Sequence, residues 1–209
     1  MTEPGTDIGV SGTAGAQWDW VLLLPPGWVR LPTAAAEARR AVRSLVGRRL
    51  RHLPRDQIAA GRRVLERELR QQLAEARDAG ASDVYAQVDL IRGMPVSAGL
   101  TVSLLQVAGD GDTLLRGLTA VLGAAGDVVE SGTAAAGDLP ALRRRRRFRR
   151  SLSDGAPALT HTAVDWVVSL PDGDDVLVLA FATATEQVAD ALVALFDAIA
   201  QSLEIAPRP

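Results

Sequence analysis

Ala163-Val-Asp-Trp-Val-Val-Ser-Leu170, Pro171-Asp-Gly-Asp174, Asp175-Val-Leu-Val-Leu-Ala-Phe-Ala-Thr-Ala-Thr185 and the run from Glu186 to Leu203 read as one continuous signal. The first and third pieces are rich in β-branched and aromatic residues, which suit a pleated, partly buried surface. Asp-Gly between two apolar runs predicts a tight hairpin, because both residues tolerate positive φ. Val176 to Phe181 is apolar on both faces, as expected of a strand covered from both sides. Thr183 or Thr185 stands where a helix cap belongs. After it, Val188, Leu192, Leu195, Phe196, Ile199 and Leu203 recur at helical spacing and make one apolar stripe, with Asp190, Asp197, Gln201 and Glu204 mostly off it. A strand pair followed by an amphipathic helix gives that helix a sheet to pack on.

Working outward, Trp18–Leu24 predicts a strand stopped by Pro25-Pro26-Gly27, and Trp28–Pro32 a second short extended piece. The tryptophans gathered here are read as covering one end of the core, with an exposed binding cluster as the other possibility. Thr33 caps a helix running to about Leu50, with Val42, Leu45, Val46 and Leu50 inward and a mostly basic outer face. A longer helix follows Pro54, about Arg55 to Ala79, with Ile58, Leu65, Leu69, Leu73 and Ala76 as its stripe and Gly80 as its C′ residue. Arg62–Glu66 and Glu66–Arg70 stand at i,i+4 spacing.

Asp83–Ile91 alternates, with Val84, Ala86, Val88 and Leu90 against Tyr85, Gln87 and Asp89; Gly93-Met94-Pro95 turns the chain into a strand from Val96 to Val107. A short helix is expected from Thr113 to about Leu122, then strands at Asp127–Ala134 and Leu142–Leu152. Short links between successive strands imply an antiparallel sheet. The expected fold is α+β: a sheet of about six to eight strands covered by helices, in an α/β/α sandwich. Residues 1–16, small and polar, are expected to be a disordered tail. Residues 17–205 form a single domain, and 206–209 a short tail.

Composition removes several functions. The chain has 209 residues, a net charge of −2 and no cysteine, so disulfides, thiolate metal sites and cysteine nucleophiles are excluded. Its basic residues are all arginine, which excludes a Schiff-base or Walker lysine and reflects GC-rich coding, as in an actinobacterium. Neither a basic leader nor an apolar run of membrane-spanning length is present, so a cytoplasmic protein is expected. Asp110-Gly-Asp112 and Asp172-Gly-Asp-Asp175 lack calcium-loop spacing. His52 and His161 are not paired at ligand spacing, no metal or cofactor is expected, and no catalytic motif occurs.

The conspicuous chemical feature is Arg143-Arg-Arg-Arg-Arg-Phe-Arg-Arg150. In an extended chain Arg143, Arg145, Arg147 and Arg149 share one face, and Arg144, Arg146, Phe148 and Arg150 the other. Such a strip can hold phosphate, stack Phe148 on a base, or meet an acidic protein. It can also be a charge-protected edge strand or one paired with acids of its own chain. The acidic pI of about 5.7 argues against nucleic acid as the partner. The expectation is a non-enzymatic protein-binding domain whose Arg143–Arg150 strand meets an acidic partner. Nucleic-acid or anionic-lipid binding through the same strand is one alternative; a hydrolase-like site at His161 is another.

Trp28-Val-Arg-Leu-Pro32 ahead of two Arg-rich helices, with Thr183–Leu203 and its Leu195-Phe-Asp-Ala-Ile-Ala200 segment at the close, resembles a family of uncharacterised actinobacterial proteins. The element order over about 18–204 is similar to the PsbP-like superfamily, which includes photosystem extrinsic subunits and Ran-binding release factors. That resemblance implies an antiparallel sheet between helices and a binding or assembly role. It also implies a link of some relatives to specialised, type VII-class secretion. No photosynthetic hallmark or secretory signal in this chain carries either specialised role across.

Overall fold

The hairpin at the heart of the sequence forms β8 (Leu159–Ser169) and β9 (Asp175–Thr183), paired antiparallel from Thr162↔Thr183 to Ser169↔Val176. The Leu170 N–H donates to the Asp175 carbonyl at 3.2 Å where the chain reverses. This computed structural model describes residues 7–11, 18–49, 55–89, 91, 93–94, 96–106, 113, 115, 127–151, 158–171 and 175–208. The Asp-Gly of the turn lies outside them.

The other elements are β1 (Asp7–Ser11), β2 (Trp18–Leu24), β3 (Trp28–Leu31), α1 (Ala35–Arg49), α2 (Arg55–Asp78), β4 (Ala81–Gln87), β5 (Ala98–Gln106), β6 (Val128–Ala136) and β7 (Leu139–Arg150). After β9 come a 3₁₀ turn (Glu186–Val188), α3 (Ala189–Gln201) and β10 (Glu204–Pro207). The main sheet has seven strands in the order β3-β4-β5-β9-β8-β7-β6, and every neighbouring pair is antiparallel. The fold is α+β, with helices on both faces of an antiparallel sheet.

Strand alternation sends each residue set to its own layer. On one face Leu100, Val102, Val164, Trp166, Leu179 and Phe181 pack with Leu192, Phe196 and Ile199 of α3. Phe196 stacks on Phe181 at 5.0 Å and meets Trp28 edge-on at 6.4 Å. On the opposite face Leu31, Val84, Ala86 and Val88 pack with Val42, Leu45 and Val46 of α1 and Leu73 of α2. Farther along that face Leu115 sits with Leu142, Val167 and Val176. Val176–Phe181 is therefore covered from both sides, as its composition requires.

The structure departs from the sequence reading in several places. Trp18–Leu24 does not join the main sheet: Pro25 and Pro26 lack backbone donors, Gly27 turns at φ 92°, and β2 pairs instead with β1 and β10. Asp7–Ser11, inside the expected tail, thus forms a strand. The chain end also pairs, through Glu204–Pro207 and an Arg208–Asp19 ion pair at 2.6 Å. Trp20, Trp28 and Trp166 are buried, which makes them core. Tyr85 and Gln87, read with Asp89 as the polar side of this strand, are also buried, as is Asp83, because that side faces the α3 layer; Asp89 is exposed.

Neither threonine caps α3. The Thr183 hydroxyl accepts from the Thr185 N–H at 3.0 Å, the Thr185 hydroxyl accepts from Ser97 N–H at 2.8 Å, and Val188 is the residue at the cap. A 3₁₀ turn between strand and helix displaces both hydroxyls from the helix start. Gly80 does end α2 with φ 81°. Glu66–Arg70 pairs at 2.7 Å, whereas the side chains of Ile58, Arg62 and Leu65 lie outside the described residues. Thr113 and Leu115 are helical; the remainder of the expected 113–122 helix also lies outside the described residues, as does His52.

Candidate functional site

The inner part of the Arg143–Arg150 strand is internal. Over Ala141–Arg146 β7 has β8 on one side and β6 on the other, so the edge-strand reading is corrected for the inner arginines, while Phe148–Arg150 pair with β8 alone among the described residues. Main-chain pairing keeps β7 extended and sends its arginines alternately to the two helical layers. On the α3 layer Arg143 makes a bidentate pair with Asp197, both contacts 2.8 Å, and reaches Glu130 at 3.0 Å. Arg145 pairs with Asp190 at 2.5 Å, and Arg147 pairs with Glu186. Glu186, Asp190 and Asp197 thus form an acidic line that follows the alternate arginines of the strand.

On the other layer Asp165 is shared. Its carboxylate accepts from Arg144 at 2.7 and 3.1 Å and from Arg146 at 2.9 Å, while Arg146 also contacts Asp127 at 3.3 Å. Phe148 stacks on His161 at 5.6 Å, and the Arg146 guanidinium lies 5.2 Å from the Phe148 ring. Arg150 closes the row with an ion pair to Glu75 of α2 at 2.9 Å. Arg149 donates to the Ala158 carbonyl at 3.4 Å.

These pairs divide the strand by burial. The side chains of Arg143 and Arg144 are 16% and 14% exposed, whereas Arg147 and Arg150 are 55% and 49% exposed. The hydrogen bond from Arg143 to Asp197 outweighs burial and raises the guanidinium above its ordinary pKa. For Arg146 burial pulls downward, but Asp165 and Asp127 reverse it and the net shift is upward. The inner arginines are held by counter-charges.

A groove opens beside the outer end, between α2 and the sheet, with a volume of about 450 Å³. Its floor follows from sheet register. One row across the strands reads Arg146, Ala163, Ala182, Gly99, Ala86, Val29; the next reads Arg144, Asp165, Ala180, Thr101, Val84, Leu31. Small residues at the centre of both rows leave space that larger side chains would otherwise fill. Leu69 and Leu73 of α2 line the opposite side, and Glu75, Arg150, Phe148 and His161 bring polar and aromatic groups to the same groove.

The His161 Nε2 is buried and has no hydrogen-bond partner among the described residues. Burial, and secondarily the charge of Arg150, lower the imidazole pKa. The Arg150 hydrogen bond holds the Glu75 carboxyl below its usual value, helped by Gln71. Among the described residues no His, Asp and Glu side chains gather into a metal-binding group, and no helix is long and apolar enough to cross a membrane.

Sequence reading found the alternation of the arginines. It missed the groove, whose signal was present in the small residues Gly99, Ala180 and Ala182 at alternate positions of two strands.

No protein-family model matches the chain, and no curated protein matches it. Two solved structures align with the chain at low identity. A Bacteroides thetaiotaomicron protein aligns over 91% of this chain at 9% identity and a TM-score of 0.47; the chain spans 45% of that protein's length. The Saccharomyces cerevisiae Ran-binding protein Mog1p aligns over 96% of both chains at 12% identity and a TM-score of 0.44.

Proposed function

We propose that this chain is a non-catalytic protein-binding domain that meets an acidic partner through the outer end of the arginine strand, Arg147, Arg149 and Arg150. The supporting observation is the gradient of exposure along β7. Arg147 and Arg150 are held by exposed pairs with Glu186 and Glu75, and exposed pairs contribute only about 0–1 kcal/mol. A partner carboxylate can replace either acid at little cost, since the displaced glutamate returns to water. Arg143, Arg144 and Arg146 are different. Breaking a buried pair costs about 3–5 kcal/mol, so they serve the fold.

An acidic protein surface fits this end better than a polyphosphate. Glu75 and Glu186 flank the arginines and the whole chain carries a net charge of −2, which opposes the dense charge of a nucleic-acid backbone more than the sparser charge of an acidic protein patch. Planar guanidinium groups match carboxylates in a bidentate geometry.

Immobilised polyglutamate, a single-stranded oligonucleotide and phosphatidylserine vesicles are the three probes. Polyglutamate should retain the native chain at low salt, and the Arg147→Glu, Arg149→Glu, Arg150→Glu triple variant should lose it while unfolding at the native temperature. Failure to retain the native chain on polyglutamate would overturn the proposal. Stronger retention on the oligonucleotide or vesicles would replace it with phosphate recognition, marked by a steep fall with salt.

A further inference from the structure

The groove under α2 has no role in that reading. Its volume of about 450 Å³ falls in the range of small-molecule sites, roughly 300–1,000 Å³. Gly99, Thr101, Ala180 and Ala182 leave the floor low, and Leu69 and Leu73 make the far wall apolar. Arg150 and His161, both lining residues, stand close in the paired strands, since Phe148 faces His161 and Arg150 faces Leu159 in the register. An apolar channel with a cation and an imidazole in its wall selects an amphipathic anion.

We infer that this groove binds an apolar monocarboxylic acid, with its carboxylate on Arg150 and His161 and its tail along the row of small residues. The present counter-charge of Arg150 is Glu75, and both side chains are about half exposed. A ligand carboxylate can therefore take its place while Glu75 turns to solvent. The buried Nε2 of His161, which has no hydrogen-bond partner among the described residues, gains one. Burial together with the Arg150 charge lowers the imidazole pKa and so favours the neutral ring, which can present one N–H to an acceptor. The inference does not rest on the acidic-partner reading, although both use Arg150.

Dodecanoate, dodecanol and hexanoate are the probes, titrated into the full chain by calorimetry. Dodecanoate should bind saturably and more tightly than either of the others: by about tenfold or more over dodecanol, which lacks the charged hydrogen bond, and over hexanoate because its shorter tail buries less apolar surface. Ala182→Phe, which fills the floor, should abolish dodecanoate binding and leave retention on polyglutamate unchanged. Arg150→Ala should weaken dodecanoate about tenfold. Ala180→Leu repeats the filling test at a second position should Ala182→Phe unfold. Absence of saturable dodecanoate binding, or binding indifferent to both filling variants, overturns the inference. Equal affinity for dodecanol removes the carboxylate site.

Discussion

Replacing Asp165 by alanine tests how the inner arginines are held. Asp165 is 7% exposed and is the counter-charge common to Arg144 and Arg146, at 2.7 and 2.9 Å. Without it Arg144 retains a guanidinium that is only 14% exposed, and it has lost the acid that compensates its desolvation. Arg146 keeps Asp127 at 3.3 Å. The loss should therefore lie near the lower end of the range for a broken buried pair, about 3 kcal/mol. For a chain of this size that is a fall of about 6–12 °C in Tm. Urea unfolding followed by circular dichroism reads the free energy, and a thermal scan reads Tm. The triple variant Arg144→Met, Arg146→Met, Asp165→Leu should recover most of the loss, because apolar groups of similar volume replace buried ion clusters at little or no cost. An Asp165→Ala loss below about 1 kcal/mol, the value of an exposed pair, would refute the reasoning and make the whole strand a surface charge array.

Gly137 and Gly99 should behave oppositely on substitution by alanine. Gly137 has φ 57° and an added Cβ would lie 2.2 Å from the Leu203 carbonyl oxygen, whereas at Gly99 the nearest atom is the Tyr85 oxygen at 3.5 Å. Gly137→Ala should cost at least about 1–2 kcal/mol from the left-handed conformation alone, with the close contact adding to it, while Gly99→Ala should unfold close to the native chain. The Glu75–Arg150 pair should also impose a pH dependence. Its lowered carboxyl pKa gives stability that is complete above the unfolded value of about 4.3 and is lost as pH falls through the folded one. Native and Glu75→Gln chains should therefore converge in urea midpoint at acid pH, and a constant gap down to the acid transition would contradict the pair. For His161 the folded pKa is likewise lowered. Its contribution is complete above about pH 6.5 and declines as pH falls toward the folded value. Its ring resonances should titrate below that of a free imidazole, and a normal or raised midpoint would show that the ring is not desolvated.

Much of this fold was legible because its signals are local. Alternation in Val96–Leu104, the doubly apolar Val176–Phe181 and the stripe of α3 each reflect one element's own burial. What was not legible depends on partners distant in sequence. Nothing around Trp18–Leu24 states that Glu204–Pro207 will pair with it. The Thr185 hydroxyl suits a cap, yet the Ser97 N–H takes it from across the sheet. The two faces of the arginine strand could be assigned from extended geometry, but their neutralisation could not. Asp165, Asp190 and Asp197 read locally as strand and helix-surface residues, and only the register of β7 against β8 and the placement of α3 bring them to the arginines. The groove is likewise a property of register, since Ala182 lies beside Gly99 only once β5 and β9 pair.

The central claim is that the arginine strand has a structural inner half and a partner-facing outer end. Nuclear magnetic resonance of the arginine Nε–Hε groups during titration with polyglutamate tests it most directly. The resonances of Arg147, Arg149 and Arg150 should move with the added peptide, while those of Arg143, Arg144 and Arg146 stay in place. Movement of all of them together, or of none, would contradict the division.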